Sequence, residues 1–255
     1  MKNIFKKILL LNKKEGETPL EALENFRKKH KRYKDKKMTY AGRLDPMASG
    51  LLLVLAGEEI KNKEKYLNLE KEYNFEILFG FATDTYDILG KVIRQGSTTG
   101  FIKKDLEKEI KSNIKKFLGE SIQKYPIYSS RTVKGKPLFV YARRGGDVDI
   151  PTRKIFIKKL KLEKVRTIDN KKLFKNIEKR IKKVKGDFRQ DEILKIWRKE
   201  LNLNQREFPL KIASFKIKCS SGTYVRGIAN TLDNKLKIPA LAFSIKRTKI
   251  GKYML

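Results

Sequence analysis

Apolar residues alternate at Tyr73, Phe75, Ile77 and Phe79, and again at Phe215, Ile217 and Cys219, which predicts two strands with one buried face each. Leu51–Ala56 is an unbroken apolar run with the length of a buried strand, and Ile8–Leu11 is a shorter one. A different spacing marks the helices. Thr18-Pro19-Leu20-Glu21 reads as a helix start, with Thr as cap, Pro in the first turn and Glu completing a capping box. Leu20, Leu23 and Phe26 are expected to face inward on it. Leu106, Ile110, Ile114, Phe117 and Leu118 fit one face of a second helix, closed by Gly119. After the turn Ser220-Ser221-Gly222, Val225, Ile228, Ala229 and Leu232 form the inward stripe of another. Strands and helices interspersed without a regular βαβ rhythm indicate an α/β or α+β fold with a mixed sheet.

From Lys161 to Leu210 the composition shifts to sixteen Lys/Arg, eight Asp/Glu and few glycines. Ile193, Leu194, Trp197 and Leu201 form a helical stripe there, so the single tryptophan reads as a packing residue. This stretch is expected to be a mostly helical, basic insertion. Charge then changes the picture of the whole chain. Its 255 residues carry 62 Lys+Arg against 29 Asp+Glu, a formal net charge of +33. With 40% hydrophobic residues the composition folds, and the charge points to a polyanionic partner, nucleic acid first. Eight of the eleven residues from Arg27 to Lys37 are Lys or Arg, a phosphate-tracking patch or a solvated helix end. One Cys and one His rule out an intramolecular disulfide and a Cys/His-rich zinc site. No apolar run has the length of a signal peptide core or a membrane span, so a cytoplasmic protein without a membrane is expected.

The densest unusual segment runs from Tyr40 to Leu52: Tyr-Ala-Gly-Arg-Leu-Asp-Pro-Met-Ala-Ser-Gly-Leu-Leu. Two glycines, a proline and small residues surround one carboxylate, Asp45, just before a buried strand. Such a loop lets backbone approach a ligand closely while aiming the acid from a rigid base. Locally the same residues also fit an Asp-Pro turn in which Asp45 bonds its own backbone. Asp84 and Asp87 share one loop and could be read as Mg²⁺ ligands, although hard-cation sites usually gather more oxygens.

Four segments in order carry a resemblance. Gly42-Arg43-Leu44-Asp45-Pro46-Met47-Ala48-Ser49-Gly50-Leu51-Leu52 resembles the catalytic motif of TruB-type pseudouridine synthases. Lys71-Glu72-Tyr73, with Gly80 and Thr83-Asp84-Thr85, is similar to the family's K-x-Y strand and following loop. Pro126-Ile127-Tyr128-Ser129-Ser130 through Gly135-Lys136-Pro137, then Tyr141-Ala142-Arg143-Arg144-Gly145, resembles its RNA-binding thumb. Cys219-Ser220-Ser221-Gly222-Thr223-Tyr224-Val225-Arg226 resembles its C-S-x-G-T-Y turn and helix. The match spans about residues 8–156 and 211–253. Tyr40 stands where the family usually has His, and Ser221 where it often has Lys.

The resemblance implies the family's catalytic fold, a mixed, largely antiparallel sheet flanked by helices, with a thumb at 125–151. It implies a single domain without the C-terminal PUA domain that many relatives carry. The implied reaction is isomerisation of uridine 55 in the T loop of tRNA, by base flipping and one essential aspartate, with no cofactor and no metal. Asp45 is then the catalytic carboxylate, and Arg226 its ion-pair partner, since a guanidinium fixes the direction and charge of a carboxylate. Tyr40, Tyr73, Tyr224 and Ile245 take substrate-binding places, with Tyr73 stacking on the flipped base. Without the resemblance Tyr73 reads as core and Arg226 as a surface arginine at a helix start. A monomer acting without an obligate protein partner is expected. The rivals are a non-catalytic RNA-binding module of the same fold and a dyskerin-like enzyme working on guide-RNA complexes.

Overall fold

The computed structural model describes residues 5–96, 103–203 and 208–255. It begins with β1 (Ile8–Lys13), α1 (Pro19–Lys29), β2 (Met38–Tyr40) and β3 (Ala48–Ala56). A short α2 (Lys63–Leu67) leads to β4 (Lys71–Phe79), then a small hairpin of β5 (Phe81–Thr83) and β6 (Val92–Gln95). Next come α3 (Lys103–Ile114), β7 (Gly119–Lys124), a two-residue hairpin of β8 (Thr132–Val133) and β9 (Lys136–Pro137), and α4 (Leu138–Arg144). The remainder holds β10 (Thr152–Asp169), α5 (Asn170–Ile181), α6 (Gln190–Glu200), β11 (Pro209–Cys219), α7 (Val225–Leu236), β12 (Ala240–Ile250) and β13 (Tyr253–Met254). None of the described helices is long and apolar enough to cross a membrane.

One sheet organises the molecule, in the order β1-β3-β12-β4-β11-β10-β7, with β2 on β3 and β13 on β12. Its ladders are antiparallel except where β12 runs parallel to β3. The mixed, largely antiparallel sheet expected from the resemblance is therefore present. Tyr73, Phe75, Ile77 and Phe79 point to one face, where they pack with Phe215, Ile217 and the α7 residues Ile228 and Leu232. Leu78 points to the other, toward Ile212, Leu241 and the α5–α6 residues Ile177 and Trp197. The period of two thus fills both faces, and each face needs its own helices.

The caps and stripes form largely as the pattern dictates. Thr18 accepts from the Glu21 amide at 3.1 Å while Glu21 accepts from the Thr18 amide at 2.7 Å, closing the capping box. On α1, Ala22 and Leu23 are buried and Phe26 packs partly, whereas Leu20 is exposed. Pro19 takes the inward place expected for Leu20, one position earlier on the helical wheel. Leu106, Ile110 and Phe117 are buried, but α3 ends at Ile114 and leaves Leu118 exposed.

The basic stretch differs in one respect from its expectation. Its helical part starts at Asn170, because Lys161–Asp169 continues β10 and pairs with β11 down to Asp169 opposite Pro209. Leu160, Leu162 and Val165 face inward between Lys and Arg, and a register shift between Leu162 and Lys164 breaks the count of two. Residues 204–207, inside that stretch, lie outside the described residues. Trp197 is fully buried and donates from Nε1 to the Ile88 carbonyl at 3.2 Å. Truncating a tryptophan packed this way costs roughly 3–5 kcal/mol.

Candidate active site

The Asp45 loop links the three-residue strand β2 to β3, with which β2 pairs. Its backbone is fastened from beneath by two cations. Lys13, at the end of β1, is fully buried and donates from Nζ to the carbonyls of Lys14 (3.0 Å), Pro46 (3.3 Å) and Ala48 (2.5 Å). Three carbonyls match the three protons of an ammonium. Burial still pushes its pKa down to about 8, against the pull of Glu17 and Asp45. Arg247, on β12, is also buried and donates to Leu51 (2.8 Å), Arg43 (3.2 Å) and Gly42 (3.1 Å) carbonyls. Gly50 lies between them in register, opposite Lys13 on one side and Arg247 on the other. Its φ is +101°, and a Cβ there would sit 2.2 Å from the Arg247 carbonyl oxygen, so only glycine fits.

Above this floor stands Asp45, its side chain about a third exposed. The local turn is present, as the Ala48 amide donates to the Asp45 carbonyl at 3.0 Å. The carboxylate, however, looks outward to Arg226, which donates from Nε to Oδ2 (2.7 Å) and from Nη2 to Oδ1 (3.1 Å). This is the bidentate geometry that fixes direction as well as charge. Arg226 is the second residue of α7, where a cation faces the positive end of the helix dipole. It is nonetheless 3% exposed. Burial opposes its charge, but Asp45 and Asp87 outweigh that and hold its pKa above the ordinary value. Asp87 Oδ2 stands 3.8 Å from Nε, and the Thr85 and Tyr128 carbonyls accept at 2.6 and 3.2 Å. Burial also pushes Asp87 up to about 6, with Arg226 pulling the other way.

The remaining expected site residues fall in three places. Tyr73 and Ile245 pack in one apolar cluster with Leu44 and Ala48, which flank Asp45 in sequence. Ile245 pairs with Ala48 across the parallel ladder, and Tyr73 with Arg247 across the antiparallel one. Burial pushes the Tyr73 hydroxyl up to about 12, so it is a neutral phenol beside the Arg247 guanidinium at physiological pH. Tyr224 precedes α7, stands edge-on to Tyr125 at 5.5 Å between centroids, and lies 6.0 Å from the Arg226 guanidinium. Its backbone is held by Gln123, which accepts from the Tyr224 amide (2.9 Å) and donates to its carbonyl (3.0 Å).

Tyr40 stands apart. It belongs to β2, opposite Val54, and packs on the cluster around Leu9 and Leu23, with Arg43 6.0 Å from its ring. Asp84 and Asp87, the residues of the magnesium reading, are each engaged by arginine: Asp84 by Arg189 and Asp87 by Arg226. No cluster of three or more His, Cys, Asp or Glu suited to a metal occurs among the described residues.

Sequence reasoning did not pick out Lys13, Arg247, Asp87 as a partner of Arg226, or Arg189. A signal existed for Arg247, which lies two residues after the inward-facing Ile245 and so shares its face. Amid 62 basic residues that position was inconspicuous.

Comparison with known proteins covers both sequence and fold. The model described as "TruB family pseudouridylate synthase (N terminal domain)" matches residues 29–188, more than half of the chain. The tRNA pseudouridine synthase B of Caldanaerobacter subterraneus subsp. tengcongensis is 33% identical over 221 residues, which is 87% of this chain and 61% of that one. The Clostridium tetani protein of the same name is 32% identical over 86% of this chain and 59% of its own length. The chain thus spans about three fifths of the length of these two relatives. It spans more, 84%, of the Endomicrobium trichonymphae protein of that name, to which it is 32% identical over 243 residues. Among solved structures, a chain of a Cbf5-Nop10-Gar1 complex matches with a TM-score of 0.56 at 18% identity, over 97% of this chain and 49% of that one, so the fold is shared. Sequence model, relatives and fold all converge on the segment that carries Asp45, and this chain belongs to the TruB pseudouridylate synthase family.

Proposed function

We propose that the chain isomerises uridine to pseudouridine in RNA, that its substrate is uridine 55 in the T loop of tRNA, and that Asp45 is the essential catalytic group. The observation that carries this reading is the bidentate Asp45–Arg226 pair, in which the arginine is buried while the carboxylate keeps an open side. Isomerisation breaks the N1–C1′ bond, turns the base, and rejoins it through C5. A stacked uridine hides both atoms, so the nucleotide must be turned out of its stack to reach the carboxylate. Asp45 is already aimed, which lowers the reorganisation the reaction requires. Tyr73 supplies a ring face for the flipped uracil, and with its hydroxyl pushed up to about 12 it serves as a neutral phenol at physiological pH. Ile245 and Tyr224 complete the pocket wall. Tyr40, at the other edge of the loop, meets RNA outside the pocket.

The chain acts as one catalytic domain, as a cytoplasmic monomer without an obligate protein partner. Residues 125–151, built around the β8–β9 hairpin and α4, serve as the thumb that clamps the stem-loop. The excess of positive charge follows the phosphates and makes binding salt-dependent.

The test is incubation of the purified chain with an unmodified tRNA transcript, followed by carbodiimide-stop primer extension, with Asp45→Asn alongside. A stop at uridine 55 with wild type alone is the expected result. A stop at a different uridine keeps the reaction and discards the substrate. Tight binding with no stop on tRNA or total RNA overturns the enzyme reading in favour of an RNA-binding module.

A further inference from the structure

The segment between α5 and α6 reaches the active site from outside the motifs that define it. Arg189, the residue just before α6, has φ of +62°, a conformation disfavoured for a residue with a Cβ. The backbone is held by the Arg189 amide donating to Asp187 Oδ1 at 3.1 Å and its carbonyl accepting from the Ile193 amide at 2.9 Å, and the side chain reaches away from the helix. Nη1 donates to Asp84 Oδ2 and to the Tyr128 hydroxyl, both at 2.7 Å, and Nη2 lies 3.4 Å from Asp84 Oδ1. The guanidinium also lies over the Tyr128 ring at 4.4 Å. Both side chains of the ion pair are about one fifth exposed, which places it above the near-zero worth of a solvated surface pair.

What Arg189 grips is what holds Arg226. Thr85, next to Asp84, gives its carbonyl to Arg226 Nη1, and Tyr128 gives its own carbonyl to Arg226 Nη2. These acceptors lie on two separate segments, the loop after β5 and the start of the 125–151 segment. Arg226 joins them through these carbonyls, and Arg189 joins them a second time through the Asp84 carboxylate and the Tyr128 hydroxyl. Its helix is itself fastened to the same loop, through Trp197 on the Ile88 carbonyl and Glu192 on Lys91.

We propose that Arg189 is a positioning residue for the Asp45–Arg226 pair: by tying Asp84 to Tyr128 it fixes the two carbonyls that orient the Arg226 guanidinium. This inference rests on the reading of Asp45 and Arg226 as the catalytic pair. It gives the helical stretch a task at the reaction centre. A phosphate contact by the same guanidinium is the competing role, and it requires Arg189 to leave Asp84.

The two roles separate in single-turnover kinetics on an unmodified tRNA transcript, with binding measured in parallel. For Arg189→Gln the rate of pseudouridine formation should fall at least roughly tenfold while transcript affinity stays within about threefold, because misplacement of a catalytic group acts on the chemical step. Asp84→Asn should give a similar loss, and the double variant should be no slower than the slower single, since both remove one tie. Tyr128→Phe, which deletes a single hydroxyl, should slow the reaction less. A wild-type rate for a folded Arg189→Gln protein overturns the proposal, as does a loss confined to affinity, or multiplying losses in the double variant. If Arg189→Gln does not fold, Tyr128→Phe decides, and an unchanged rate there overturns it. An inactive wild type in the same assay would instead remove the underlying reading of Asp45 and Arg226, and this inference with it.

Discussion

Arg226 and Arg247 are both buried arginines from the last part of the chain, 3% and 1% exposed, yet they meet opposite kinds of acceptor. Arg247 spends its protons on three backbone carbonyls of the Asp45 loop, and Lys13 does the same from the other side. Arg226 meets two carboxylates and two carbonyls. A neutral acceptor gives a charge-assisted bond without a second desolvated ion, which suits a floor that must stay fixed. A carboxylate acceptor leaves an anion that can still react on its open side. The first arrangement fixes a backbone, and the second aims a functional group.

The sharpest break in this contrast is Arg226→Gln. It should lower the pseudouridine-forming rate at least roughly a hundredfold in single-turnover assays, with a smaller effect on stability, because Asp87 can neutralise itself by taking a proton. Arg247→Met should do the reverse at the level of mechanism, destabilising by about 3 kcal/mol as buried carbonyls lose their donor. In thermal unfolding that corresponds to a fall in Tm of roughly 6–12 °C. Lys13→Met should cost less, about 2 kcal/mol, because burial already disfavours the ammonium that is removed. A rate loss in Arg247→Met or Lys13→Met as deep as in Arg226→Gln would erase the distinction between floor and aim.

The smallest effect concerns pH. Asp87 is held up to about 6 by burial, against an ordinary value of 3.8. Between those values the folded chain binds a proton there that the unfolded chain has released. This group's contribution therefore makes stability fall as pH rises from about 4 to 6, by no more than about 1.4 kcal/mol per pH unit. Comparing denaturant unfolding at pH 4.5 and 6.5, Asp87→Asn should remove that downward component. An identical pH dependence in the variant would show that Asp87 titrates normally.

Much of the sheet was legible because alternation is a direct image of a half-buried strand, as at Tyr73–Phe79 and Phe215–Cys219. Helix α7 was legible for the corresponding reason, whereas Asp45 and Arg226 were brought together only by the family resemblance of their motifs. The first part of Lys161–Leu210 was not, since a bulge shifts the register of β10 amid lysines. The fastening of the loop was hidden for a physical reason. Lys13 and Arg247 are buried charges in a chain of 62, and no local pattern says which of them a distant backbone will enclose. Arg189 could not be read at all, because its partners lie 61 and 105 positions away.

The order of strands has a consequence for how the protein is made. β12 is wedged between β3 and β4, so the β1–β3 unit joins the rest of the sheet only when almost the last strand arrives. Asp45 and Arg226 are likewise 181 positions apart. At ordinary rates of synthesis, roughly ten to forty seconds pass between the emergence of the acid and of the arginine that aims it. During that interval a ribosome-bound fragment carries the complete Asp45 motif and Lys13, but neither Arg247 nor Arg226. The arrangement around Asp45 is therefore completed late and at once, with the keystone strand.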